Sequence, residues 1–161
     1  MRENAFARRI DAATNKITAT LAVGPADSED GITVSGDSVW LVTGKNGTLA
    51  RIDPATNTDR ENISIAAGSY NPLYHDGVVW ITGFDRSVLT AVDARTGEVL
   101  ASVPVGPKPR FIAIGGGAVW TLNQGDGTIS RVDVKTGKLA ATIVAGIPAH
   151  GGDLCYGADA V

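Results

Sequence analysis

The chain has 161 residues, of which 43% are hydrophobic and 19% charged, and its net charge is −3 from 14 basic and 17 acidic residues. Those totals describe one folded unit of about 150 residues' worth of core and exclude a disordered segment. The slight acidity excludes a nucleic-acid footprint and an anionic membrane surface, since Arg8-Arg9 and the Lys108/Arg110 pair are too small to attract either.

Residues 1–24 come first. "MRENAFARRIDAATNK" has no apolar stretch of leader length, so the chain as written reads as cytoplasmic; a secreted parent that had lost its leader would read the same. "AFARRID" and "ITATLAVG" alternate around "DAATNK" and predict two strands joined by a turn, the outer pair of a sheet. Three fuller units follow at about 27–67, 70–106 and 108–146, each with four strand-like runs. In the third, "RFIAIG" is almost wholly apolar, as a strand covered on both faces requires, and "AVWTLNQ", "GTISRVDV" and "KLAATIVAG" succeed it. Asn46-Gly47 and Asp126-Gly127 predict two-residue hairpins, because both central residues tolerate positive φ. Residues 149–161 predict one more inner strand and the start of its neighbour. No segment carries a helical apolar period, and runs such as "VVWI" are too short to cross a bilayer.

The units are copies of one another. Trp40, Trp80 and Trp120 stand forty residues apart, at the ends of "GDSVW", "DGVVW" and "GGAVW"; "GADAV" halts one residue before a fourth. The phrases at Arg9–Asp11, Arg51–Asp53, Ala91–Asp93 and Arg131–Asp133 recur with them, each followed by Thr-Asn or Thr-Gly. The aspartate accepts backbone N–H groups inside that turn, and Asn or Gly takes its left-handed position. A four-stranded antiparallel unit of about forty residues, repeated head to tail, predicts an all-β fold: a β-propeller with about four blades per chain. The three tryptophans are expected in the core, and the lone Cys155 reads as a small buried residue.

"GGAVWTLNQGDGTISRVDVKTGKLAATIVAG" resembles the YVTN-type β-propeller repeat of bacterial proteins, and the likeness runs over essentially the whole chain. The resemblance implies the fold; its relatives include streptogramin B lyases and lactonases as well as binding platforms. An open arc leaves apolar sheet faces bare, so either the chain is a segment of a longer propeller or its end strands complement its first ones, within one chain as a tight four-bladed ring or between two chains as an eight-bladed one. The homodimer is the favoured expectation.

Ligands of such a ring meet the channel and the loops leading into the inner strands. Those loops read as Ala26–Asp30, Ser69–Asp76, Pro107–Arg110 and Ile147–Asp153, and they vary between copies while the frame repeats. Asp27, Glu29 and Asp30 form an acidic group, Lys108 and Arg110 suit an anion, and Tyr70 and Tyr74 offer stacking surface. His75 and His150, beside Asp76 and Asp153, are the weak catalytic candidates. No cofactor is called for; a divalent cation held by these histidines is the one candidate, and no streptogramin B lyase histidine–glutamate motif is present to carry over. The first expectation is therefore a non-enzymatic module that binds a protein or small ligand on the channel face. The others are a metal-assisted lyase or lactonase using His75 and His150, and a fragment of a larger sensor.

Overall fold

The computed structural model describes residues 6–24, 31–44, 46–147 and 151–161. Among them every regular element is a strand. A hairpin pairs β1 (Phe6–Ile10) with β2 (Ile17–Ala22). Blade 1 holds β3 (Ile32–Val34), β4 (Val39–Thr43), β5 (Thr48–Asp53) and β6 (Thr58–Ser64). Blade 2 holds β7 (Ser69–His75), β8 (Val78–Gly83), β9 (Val88–Asp93) and β10 (Val99–Pro104). Blade 3 holds β11 (Pro109–Gly115), β12 (Ala118–Asn123), β13 (Thr128–Asp133) and β14 (Lys138–Val144). Each blade is an antiparallel meander in chain order, and the inner strands β3, β7 and β11 stand side by side. The fold is all-β and propeller-like.

Repeat register decides what lies between blades. Trp40, Leu49 and Ile63 of blade 1 pack against Val79, Val92 and Ala94 of blade 2. Their counterparts Trp80, Leu89 and Val103 meet Val119 and Val132 of blade 3. The hairpin offers Ala7, Leu21 and Val23 to Leu41 and Ile52 of blade 1. Side chains on the second and third strands are thus covered on both faces, each contributing about 1.5–3 kcal/mol of burial. The outermost β6 and β14 are largely exposed.

The repeated aspartates close their turns as expected. Asp53 Oδ1 accepts the Ala55 amide at 2.7 Å, and Asp93 and Asp133 accept the amides of Thr96 and Thr136 at 2.7 and 2.8 Å. Asn15, Asn57, Gly97 and Gly137 hold the positive φ that completes each turn. An arginine strap joins blades: Arg51 lies 5.1 Å over the Trp40 ring, donates Nε–H to Ser38 Oγ and Nη1 to the carbonyl of Arg95 in blade 2. Arg9 of the hairpin reaches the Pro54 carbonyl of blade 1 in the same way.

Several expectations need correction. Gln124–Gly127 forms a four-residue loop rather than a two-residue hairpin, because Asn123 already pairs with Thr128. Asp126 does not take positive φ; its carboxylate is engaged by the amide and hydroxyl of Thr128. The tight two-residue turns are instead Asp76-Gly77 and Gly116-Gly117, all four at positive φ. "SYNPLYH" is an inner strand, not a loop. Pro72 fits because the strand is at the sheet edge and its register shifts between Ser69 and Pro72, where no ladder N–H is required. Trp40 and Trp80 are buried, but Trp120 is only half-buried, since no complete sheet covers the forward face of blade 3. Cys155 is exposed. Residues 151–161 carry only an isolated bridge, Gly157 to Ala160, beside β11, with Tyr156 against Gly115.

Candidate functional site

Three of the expected ligand-binding residues converge at one end of the inner strands. Tyr70 is near the start of β7, Arg110 near the start of β11, and Lys108 just before it. The Arg110 guanidinium lies 5.4 Å from the Tyr70 ring centroid and 5.7 Å from that of Phe111. Tyr70 meets Phe84 edge-on, centroids 5.4 Å apart, and the Lys108 ammonium stands 5.7 Å over the Phe84 ring. Gln124 Oε1 accepts from Arg110 Nη1 at 3.4 Å. Two cations and three aromatic rings thus share one patch. Cation–π contacts of this kind fix the direction of a charge that the solvent still reaches.

The backbone beneath is held tightly. The Arg110 carbonyl accepts both Asn71 Nδ2 at 2.7 Å and Thr82 Oγ1 at 3.0 Å, which ties β11 to blade 2. Gln124, buried just after β12, donates its backbone N–H to the Lys108 carbonyl at 3.0 Å. Lys108 itself takes φ 55°. A non-glycine residue there costs energy that its surroundings must offset, so its direction is specified. Beside this patch Asn123, fully buried, donates to Thr128 and Ser130 and accepts from Thr121.

Phe84, Phe111 and Gln124 were missed. A signal existed: Phe84 and Gln124 stand where blade 1 has Gly44, so they are departures from the repeat like Lys108 and Arg110.

The other candidates lie elsewhere. Tyr74 and His75 occupy the opposite end of β7, where His75 pairs with Val78 across the Asp76-Gly77 turn and is exposed. The Tyr74 hydroxyl accepts the Gly77 amide at 3.2 Å. Tyr74 borders a cleft of about 460 Å³ with Asp37, Arg51 and Arg95. Its Asp37 is engaged, lying 3.6 Å from Arg51 and 3.3 Å from Arg60. The Ser38 hydroxyl, with Arg51 and Arg60 behind it, holds the Asp37 carboxyl below its ordinary value. Asp153 is exposed, and its carboxylate accepts the amide of Leu154 at 2.7 Å. His150 and the acidic group Asp27, Glu29 and Asp30 lie outside the described residues. Among the described residues no three His, Cys, Asp or Glu side chains are grouped to hold a metal, and no helix is long and apolar enough to cross a membrane.

No protein-family model and no curated protein matches the sequence. Solved structures do match. Hydrazine synthase from Kuenenia stuttgartiensis superposes with a TM-score of 0.74 at 15% identity, over 83% of this chain and 41% of that one. The computationally designed Ika8 protein gives 0.72 at 19%, over 84% and 42%. Glutaminyl cyclase from Myxococcus xanthus gives 0.57 at 13%, over 86% and 62%. The chain spans about two fifths of the first two and about three fifths of the third. These likenesses are of fold. Enzymes and a designed protein share it, so the architecture assigns no activity.

Proposed function

We propose that the chain is a non-enzymatic propeller module that binds a small carboxylate-bearing ligand on the channel face. One observation carries this reading: Tyr70, Phe84, Lys108 and Arg110 meet at one end of adjacent inner strands. The chemistry follows from their types. A lysine ammonium attracts an anion, and the arginine guanidinium beside it adds positive charge to the same patch. Aromatic faces and edges accept an apolar ring or chain attached to it. No carboxylate pairs with Lys108 among the described residues. The likeness of residues 116–146 to YVTN-type repeats, many of which serve as binding platforms, agrees with a scaffold.

His75, the described histidine, stands at the far end of β7, away from the patch. The metal-assisted lyase reading therefore gains no support from the site's geometry.

The test is a nuclear magnetic resonance titration with benzoate, with benzyl alcohol as the uncharged control. Benzoate is expected to shift the amides of Phe84, Lys108 and Phe111, and Lys108→Ala is expected to weaken binding about tenfold, the worth of one charge-assisted contact. Equal response to benzyl alcohol, or shifts centred on Tyr74 and Asp37 instead, overturns the reading.

A further inference from the structure

Blade 3 presents a forward face that the chain only half covers. Trp120, Ile129 and Ile143 repeat the positions of Trp40, Leu49 and Ile63, which are buried against blade 2. On blade 3, Tyr156 and Val161 approach this set, at the places that Tyr74 and Val79 fill on blade 1. A cavity of about 340 Å³ remains, and Ile143 is 42% exposed. Among the described residues none on this face takes the place that Val92 and Ala94, from the third strand and turn of blade 2, take against blade 1.

The polar side of the face is also incomplete. Arg131 stacks 5.4 Å over Trp120, as Arg51 does over Trp40. Arg51 Nε and Nη1 find Ser38 and a carbonyl of the next blade's turn. Arg131 Nε is buried and has no hydrogen-bond partner among the described residues. A buried donor left unmade costs free energy, so such atoms mark a contact that forms elsewhere.

The hairpin β1–β2 carries the missing parts on its own open side. Ile10 repeats Val92, and Ala12 repeats Ala94. Ile10 is 61% exposed and Ala12 is exposed, because the hairpin spends its other face on blade 1. The turn that receives an arginine strap in blades 1 and 2 is present here as Asp11–Asn15. Each open face carries what the other lacks, so a second copy of this chain is the occupant that matches both.

We infer that two copies of this chain close a head-to-tail ring, the β1–β2 hairpin of each seated on blade 3 of the other, with Ile10 in the Trp120 cavity and the Arg131 strap on the carbonyls of Ala12 and Ala13. The contact occurs twice, and two arcs of this size give about eight blades, within the range propellers adopt. The inference is independent of the ligand patch, which lies on the seam between blades 2 and 3.

Light scattering after size exclusion tests it on the full chain. The expected mass is twice 16.6 kDa. Ile10→Lys and Ile143→Lys each damage both junctions and are expected to give 16.6-kDa species with unchanged β-sheet circular dichroism. Mixing the two variants leaves one junction wholly native and is expected to restore the doubled mass. Arg131→Ala is expected to weaken dimerisation about tenfold or more. A monomeric native chain overturns the proposal, as does a doubled mass in both lysine variants. So does failure of the mixture to recover the doubled mass while the native chain has it. An unchanged dimerisation constant in Arg131→Ala removes the strap from it.

Discussion

At the scale of single residues, the repeated aspartates couple the fold to pH. Backbone and hydroxyl donors of Thr96 and Thr136 hold Asp93 and Asp133 below the ordinary carboxyl value of 3.8, and Arg60 with the Ala55 amide does so for Asp53. In acid the unfolded chain therefore binds more protons than the folded one. The stability these groups contribute is full above the ordinary value and is lost as pH falls through the depressed folded values. Asp93→Asn and Asp133→Asn should each lower the melting temperature at pH 7 and flatten its decline as pH falls through the ordinary carboxyl value of 3.8 and below it. Parallel melting curves for native and variant proteins across that range would count against the turn bonds as the cause. The carboxylates look catalytic only singly; their recurrence at the same point of every unit, with the same amides, makes them part of the frame.

At the scale of the element, packing rather than strand propensity separates the blades. Trp40 is fully buried between two complete sheets, and Trp120 faces a cavity. Trp40→Ala should cost about 3–5 kcal/mol, read as a fall in the urea midpoint. Trp120→Ala, compared in the Ile10→Lys background, should cost distinctly less; equal losses would place blade 3 in a closed environment that one chain does not supply. The repeat made strands, their order and the aspartate turns legible, since alternation and aspartate–threonine spacing are local signals; the two-residue turns it placed wrongly. β7 was harder. Pro72 and the polar run around it imitate a loop, and only the neighbouring strand reveals a register shift that spares the proline. The binding patch was half legible: Lys108, Arg110 and Tyr70 stood out as departures from the frame, but Phe84 and Phe111 looked like ordinary apolar residues. Nothing local said that the Phe84 ring would lie under a cation from another blade.

At the scale of the molecule, each interface between blades belongs to both of its neighbours. The cluster around Trp40 runs from blade 1 into blade 2, and the one around Trp80 runs on into blade 3. Hydrogen bonds add to this along the inner strands, from the Gly31 amide to the Tyr70 carbonyl and from the Tyr74 amide to Thr33 Oγ1. A blade that unfolded alone would bare apolar area on its neighbours, so near-neighbour coupling favours a single event. Urea unfolding should therefore give one transition, with tryptophan fluorescence and far-ultraviolet circular dichroism coincident. Separated midpoints would mean that blades melt one by one.

The series of straps has a gap. Blade 2 carries Ala91, buried, where the hairpin, blade 1 and blade 3 carry Arg9, Arg51 and Arg131. Its joint with blade 3 relies on the hydrophobic cluster and on the two bonds that Asn71 and Thr82 make to the Arg110 carbonyl. Those bonds end directly beneath the cationic patch. A guest that draws the Arg110 main chain outward would thus strain a seam that lacks the arginine-to-turn strap joining blades 1 and 2.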